Sequence, residues 1–333
     1  MTISIAWTRK RQNYEELVFV SDSRLTGGKK FDACPKILAL PRGDCAIAFA
    51  NTSGDAFSMM IQLSLAIDAY PPARKRRFEL NLLLDHAVSV FNGMLEKISL
   101  TEIKGNPGLA KTDAEFLFGG YSWREKKFRL WAIHYSSAIQ RFVSAPARSL
   151  TLDRRKKTII LKGRQSKRFV KLGNIAFAGD QARAAKKLLF KRLSSEVASG
   201  FPPYKIDMEP FEVVRDMLRD PSLQQEGVQG SIGGAPQVLK VFQYSRTSSY
   251  AVFWPDRSGV PHLHGRPSLP YENLDQMSLD PDTLRSVYLG SEEALAQARK
   301  KAEMRELECD PNGGVKLILA LLKDRLRRSA KLI

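Results

Sequence analysis

The chain opens with short apolar runs separated by turns. Ile3, Ile5 and Trp7 alternate with small or polar residues, residues 9–16 are charged, and Leu17-Val18-Phe19-Val20 is an apolar run ending at Asp22. This pattern predicts two strands joined by a polar hairpin tip. Gly27-Gly28 signals a turn, and Lys36 to Leu40 and Cys45 to Ala50 read as further strands. A helix is predicted from near Ser53, with Phe57, Met60, Ile61, Leu63 and Ile67 at roughly helical spacing.

Pro71-Pro72 separates that helix from a second, residues 77–98, whose leucines and Phe91 form a wide apolar face. Residues 104–111 read as a loop, and residues 115–121 and 128–133 as a hairpin around a charged turn. The basic stretch from Arg141 to Lys171 reads as a long inserted hairpin. Helices are predicted from Asp180 through Val197 and from Asp207 through Leu218, with acids at their starts as the helix dipole favours. Residues 237–242 and 250–254 look like closing strands, which puts the end of a core domain near Pro255. Residues 256–333 then form a connector and a helical extension. In it, Asp280-Pro281 reads as an N-cap opening a helix to Leu307, and a last helix runs from Val315 to Ala330.

Three residues of the first segment carry candidate chemistry: a hydroxyl at Thr2, an acid at Asp22 where an apolar strand ends, and a lone lysine, Lys36, where another begins. Singly, each has a bland reading as a strand former, a turn cap or an edge charge. Together with Asp22-Ser23-Arg24-Leu25-Thr26-Gly27, the turn Asn51-Thr52-Ser53 and the helix containing Asp55-Ala56-Phe57, they resemble the amino-terminal half of a proteasome β subunit. They are more similar still to the bacterial proteasome-like peptidase that works with an ATP-driven unfoldase. The resemblance is good over residues 2 to about 70, weaker but in order through Gly119-Gly120, residues 176–189 and Gly233-Gly234, and absent after about residue 255.

The resemblance implies an N-terminal nucleophile hydrolase: an α+β, four-layer α-β-β-α sandwich, here with an added helical C-terminal extension. It assigns Thr2, freed by removal of Met1, as nucleophile, Asp22 and Arg24 as the family's Asp-x-Arg pair, and Lys36 as the catalytic lysine. Asn51 stands where the family has the glycine whose N–H helps form the oxyanion hole. The first specificity pocket would be lined by Leu25, Cys34, Leu38, Phe49 and Ser53, without charge, and would take an apolar side chain. The chemistry makes sense independently. A threonine hydroxyl is a poor nucleophile, but an N-terminal residue brings its own base, because an α-amine titrates at about 7.7–8.0. A neighbouring lysine biases that amine toward its neutral form, and an aspartate offsets the lysine charge. The family's Gly-Ser-Gly turn is replaced by Ala178-Gly179-Asp180. Its Asp-x-x-Ser-Gly-Gly segment is reduced to Gln229-Gly230-Ser231-Ile232-Gly233-Gly234, leaving Asp180 and Ser231 as the candidate substitutes.

At 333 residues and 43% hydrophobic composition, the chain has the make-up of a soluble globular protein larger than one average domain. No segment has the apolar length to span a bilayer, and the start lacks a secretory layout, so a cytoplasmic location and no membrane partner are expected. Cys34, Cys45 and Cys309 lack metal spacing and read as free thiols; His262 and His264 flank Leu263 without a third ligand. Neither a cofactor nor a metal is implied. The net charge of +18 is concentrated in Arg148 to Lys171 and in Lys323 to Lys331. No nucleic-acid module accompanies these runs, so a nucleic-acid partner is not expected and a solvated face is the plainer reading.

The leading expectation is a threonine protease cleaving amide bonds in a protein or peptide substrate through an acyl-enzyme on Thr2. The resemblance further implies a homo-oligomer, with a ring as the family form and an ATP-dependent unfoldase as partner. The alternative is a catalytically silent subunit acting in assembly or partner binding, and a third reading is a polyanion binder on the same scaffold.

Overall fold

β1 (Ser4–Lys10) and β2 (Glu15–Ser21) form the first hairpin, in register from Ser4 opposite Ser21 to Lys10 opposite Glu15. Leu17 to Val20 are all fully buried, because this pair is covered on both faces; that is why β2 reads as a continuous apolar run rather than an alternation. The computed structural model describes residues 2–288 apart from 12–13, 28, 96, 98–111, 163–168, 200–204, 224–231, 244–245, 270–271, 273 and 275. The last predicted helix, the end of the one before it, Cys309 and the second basic run lie outside the described residues.

A two-stranded ribbon of β3 (Leu25–Gly27) and β4 (Lys29–Phe31) leads into β5 (Ile37–Ala39) and β6 (Cys45–Ala50), then α1 (Ser53–Ala69), the single turn α2 (Pro71–Arg74) and α3 (Leu80–Leu95). β7 (Glu115–Ser122), β8 (Lys127–Ser136) and β9 (Arg141–Pro146) complete a five-stranded antiparallel sheet in the order β5-β6-β7-β8-β9. β10 (Arg148–Asp153), β11 (Thr158–Lys162) and β12 (Phe169–Ala178) follow, then α4 (Ala182–Ala198), α5 (Glu209–Arg219), β13 (Gln237–Phe242) and β14 (Arg246–Trp254). These join the first hairpin in a second sheet, ordered β11-β10-β12-β1-β2-β13-β14.

The chain divides into two compact units. The first comprises residues 1–250 with 264–266, and the second residues 251–263 and the chain from 267 onward. Two cores organise the first. Leu17 and Phe19 of β2 and Leu239 and Val241 of β13 meet Ala46 and Ala48 of β6 and Leu117 of β7 between the sheets. Met60 and Leu63 of α1 and Leu83, Ala87 and Phe91 of α3 pack on Phe116, Phe118 and Ile133 of the five-stranded sheet, with Phe91 stacked on Phe116 at 4.4 Å between centroids. Each fully buried Leu, Ile, Val, Met or Phe side chain contributes about 1.5–3 kcal/mol. α4 and α5 pack on each other and reach β11, β12 and β2. In the second unit the end of β14 pairs antiparallel with β15 (Val260–Leu263) and parallel with β17 (Met277–Leu279), which pairs with β18 (Ser286–Tyr288); β16 (Arg266–Pro267) is a two-residue strand.

The expected four-layer α-β-β-α sandwich is thereby corrected. The described chain is sheet-rich, with sheets of eleven and five strands against five α-helices, one of them four residues long. In the basic segment β10 and β11 pair antiparallel as a hairpin and join the larger sheet, while the described part of the chain beyond Pro255, expected as a connector and the start of a helix, supplies the short strands β15 to β18. Asp280-Pro281 shows why the expectation went astray. The Asp280 carboxylate does accept from the backbone N–H groups of Asp282 (2.9 Å) and Thr283 (3.2 Å), as an N-cap would. Leu284 then takes a left-handed φ of 59°, and Asp280 N donates to Arg285 O at 2.9 Å. The chain turns back into β18, since an Asx turn and an N-cap begin with the same hydrogen bonds.

Among the described residues no helix is long and apolar enough to cross a membrane.

Candidate active site

The site forms where β1 begins, β2 ends and β5 begins. Thr2 precedes β1 and is 3% exposed, while Asp22 and Lys36 are fully buried. Lys36 Nζ donates to Asp22 Oδ1 at 2.8 Å and to Thr2 Oγ1 at 3.3 Å. The Asp22 carboxylate also accepts from three backbone N–H groups, Ile3 (3.2 Å), Arg24 (3.2 Å) and Gly233 (3.4 Å). A buried ion pair is tolerated when its remaining hydrogen-bonding capacity is filled, and here the backbone fills it. Ser4 and Ser21 fasten the neighbouring strand ends: their hydroxyls lie 2.9 Å apart, Ser21 Oγ donates to Ile3 O and Ser4 Oγ to Phe49 O.

Arg24 stands one step away from the Thr2 hydroxyl. Its guanidinium grips Asp32 through two hydrogen bonds of 2.6 and 2.9 Å and donates to Ile232 O at 3.1 Å. This grip holds the Asp32 carboxyl below its usual value. Gly233 lies against that guanidinium so closely that a Cβ there would come within 2.2 Å of Arg24 Cζ. The retained glycine makes room for the brace, and Arg24 fixes the Asp22 loop.

Asn51 follows β6 with φ of 68°. Asparagine is among the few side chains that tolerate this left-handed region, which explains how it occupies a place where the resembled family has glycine. Its Nδ2 donates to Asp113 O at 3.0 Å. Of the predicted pocket residues, Cys34 and Phe49 are buried in one apolar cluster with Ala56, Met59 and Met60 of α1, and Leu25 and Leu38 pack against that cluster. Ser53 is the first residue of that helix. Burial pushes the Cys34 thiol up to about 11, so it is a neutral wall. Asp180 is exposed, directly after Gly179; Ser231 lies outside the described residues.

Two residues at this site carry no signal in the sequence beyond their place in a strand. Gln237 opens β13, 1% exposed. Its Nε2 donates to Asp22 O (3.1 Å) and Cys34 O (2.7 Å), while its Oε1 accepts from Lys36 N (2.9 Å). One amide thus ties together the backbones that carry the acid and the lysine. Glu115 opens β7 and accepts from Gly179 N at 2.8 Å. Gly179 has φ of 99°, and a Cβ there would come within 2.1 Å of Thr2 O, so glycine at this position lets the chain pass against the backbone of Thr2. Only the register of β7 beside β6, with Ala50 opposite Glu115, brings that carboxylate here.

His262 Nδ1 lies 2.7 Å from Val260 O, and His264 sits in a turn with φ of 51°. Among the described residues no cluster of three or more His, Cys, Asp or Glu side chains is placed to hold a metal ion.

No protein-family model matches the chain, and a comparison with curated proteins finds none that matches it.

Proposed function

We propose that the chain is a threonine-type amide hydrolase related in mechanism to proteasome-like N-terminal nucleophile hydrolases. The supporting observation is the contact of Lys36 Nζ with Thr2 Oγ1 at 3.3 Å inside a fully buried pair with Asp22. Burying a lysine and an aspartate costs several kcal/mol per ion before their attraction is counted, and a hydrophobic pair would be the cheaper solution for structure alone. Placing them on a hydroxyl at the second residue suits catalysis.

In this reading removal of Met1 frees the Thr2 α-amine. The amine takes the proton of Oγ1 as the oxygen attacks the substrate carbonyl, and returns it to the leaving amine. The Asn51 N–H supports the oxyanion, and water then cleaves the ester on Thr2. Leu25, Cys34, Leu38, Phe49 and Ser53 would receive an apolar side chain before the scissile bond. The substrate is a protein or peptide, the working form is a homo-oligomer of ring type supplied by an ATP-dependent unfoldase, and the location is the cytoplasm, in keeping with the free thiols of Cys34 and Cys45.

A second reading, a catalytically silent subunit, draws on the loss of the family's serine at the Ala178-Gly179-Asp180 turn. Substituting Lys36→Ala separates the two. Turnover of a fluorogenic peptide is expected to fall by about 10²–10⁴-fold while circular dichroism stays native; unchanged turnover removes Lys36 from the mechanism.

A further inference from the structure

Three hairpin turns of the first unit fall at one end of its sheets, and the strand registers fix which end. In the first hairpin Ser4 opposes Ser21 next to Thr2, so Lys10 and Glu15 mark the far end, about 20 Å away at ~3.3 Å per residue. β12 runs from Phe169 to Ala178 beside β1, with Ala178 opposite Ser4, and Asp153 of β10 opposes Phe169. The β10–β11 turn, Arg154-Arg155-Lys156-Lys157, therefore lies at the far end. In the other sheet Glu115 reaches Gly179 beside Thr2, while Ser122 opposes Lys127. The β7–β8 turn, with Trp123, Arg124 and Lys126, therefore lies at the far end too. The two sheets pack together here through β12 and β8, and the pKa of Lys171 on β12 is lowered chiefly by burial, with smaller opposing effects from Glu15 and Lys127.

This end is basic because its acids are taken up locally. Asp153 is 3% exposed and its carboxylate accepts from Arg155 N and Lys156 N. Glu125 is bound by Arg129 and Lys127. The four residues 154–157 are exposed and include no acid. Exposed aromatics stand among the cations: Trp123 is 52% exposed with the Arg124 guanidinium 5.9 Å from its ring centre, and Tyr14 is 41% exposed against Phe242.

We propose that this end of the sheets binds single-stranded nucleic acid, with the β10–β11 turn contacting phosphates and Trp123 stacking on a base. Clustered cations alone would suit any polyanion; exposed rings beside arginine favour a strand with unpaired bases, whose faces are free to stack. The surface is independent of the chemistry at Thr2. It departs from the expectation that the basic runs have no nucleic-acid partner, because Trp123 and Arg124 lie outside those runs in sequence and only the fold brings their turn to the same end as residues 154–157.

The test is fluorescence anisotropy of the full chain with a labelled oligothymidylate of about 20 nucleotides, long enough to span a typical single-strand site. Saturable binding is expected, weakening linearly in log affinity with log salt. Replacing Arg154, Arg155, Lys156 and Lys157 together by Gln lowers that slope by about 0.7 for each phosphate no longer neutralised. Trp123→Ala weakens binding at least about five-fold, the low end of the effect of removing a stacked ring, with the slope kept. Absence of saturable binding overturns the proposal. So does binding that neither variant changes, a duplex bound as tightly as the oligothymidylate with Trp123→Ala silent, or binding confined to phosphatidylserine vesicles.

Discussion

Lys36 Nζ sits 2.8 Å from Asp22 Oδ1 with both side chains fully buried. The pair lies between the backbone that carries Thr2 and the strand that follows Lys36, so its removal has separable effects on stability and on chemistry. Asp22→Asn leaves the ammonium without its counter-charge, and breaking a buried pair from one side costs about 3–5 kcal/mol. Chemical denaturation should show a loss of that size. The double variant Asp22→Leu/Lys36→Met should recover most of it, because apolar groups of similar volume replace buried pairs at little cost, and yet should remain inactive. A double variant that turns over substrate would show that the pair serves the fold alone.

Gln237 acts on the same pair through the backbone. Its three hydrogen bonds to Asp22, Cys34 and Lys36 set the spacing between acid and lysine. Gln237→Leu strands two carbonyls and one N–H, each unsatisfied group costing about 1–3 kcal/mol. A displacement of about 1 Å at a catalytic group can cost 10²-fold in rate. The expected signature is kcat lowered by about that factor with KM little changed, and with partial rescue in Gln237→Glu, which keeps the acceptor for Lys36 N. Equal losses in both variants, in step with their thermal stability, would make Gln237 merely structural.

Stability should also depend on pH through Glu209 at the start of α5. Burial pushes its carboxyl up to about 7, and the like charges of Glu196 and Asp207 add to the shift. A carboxyl raised from 4.5 in the unfolded chain to about 7 when folded holds a proton that unfolding releases. Its contribution is therefore complete below the unfolded value and is lost as pH rises through the folded one. Urea midpoints of the native sequence should fall between about pH 4.5 and 7 relative to those of Glu209→Gln. Parallel curves across that window would place the titration elsewhere.

The sequence exposed Asp22 and Lys36 because each is a charge at the end of an apolar run, the point where a strand stops and a side chain can be delivered to a site. It exposed the strands of the first hairpin and the apolar faces of α1 and α3 for the same reason of period. Gln237 and Glu115 stayed hidden. Each is an ordinary polar residue at a strand start, and what they touch depends on pairings between segments about 200 and 64 residues apart. The architecture is illegible in the sequence where two structures share a local signal, as at Asp280, and where strand addition at a sheet edge leaves no mark in the composition. The gathering of basic turns at one end was illegible for a further reason: turn positions follow from register, and register is set by cores that form between distant strands.

The most direct test of the account is the intact mass of the protein purified from its native cell, before and after exposure to an epoxyketone probe that requires both a threonine hydroxyl and a free α-amine. The expected result is a mass lacking Met1 and a single adduct mapped to Thr2, with no adduct in Lys36→Ala. A chain that retains Met1, or that lacks it and stays unmodified, would contradict the assignment of Thr2 as nucleophile.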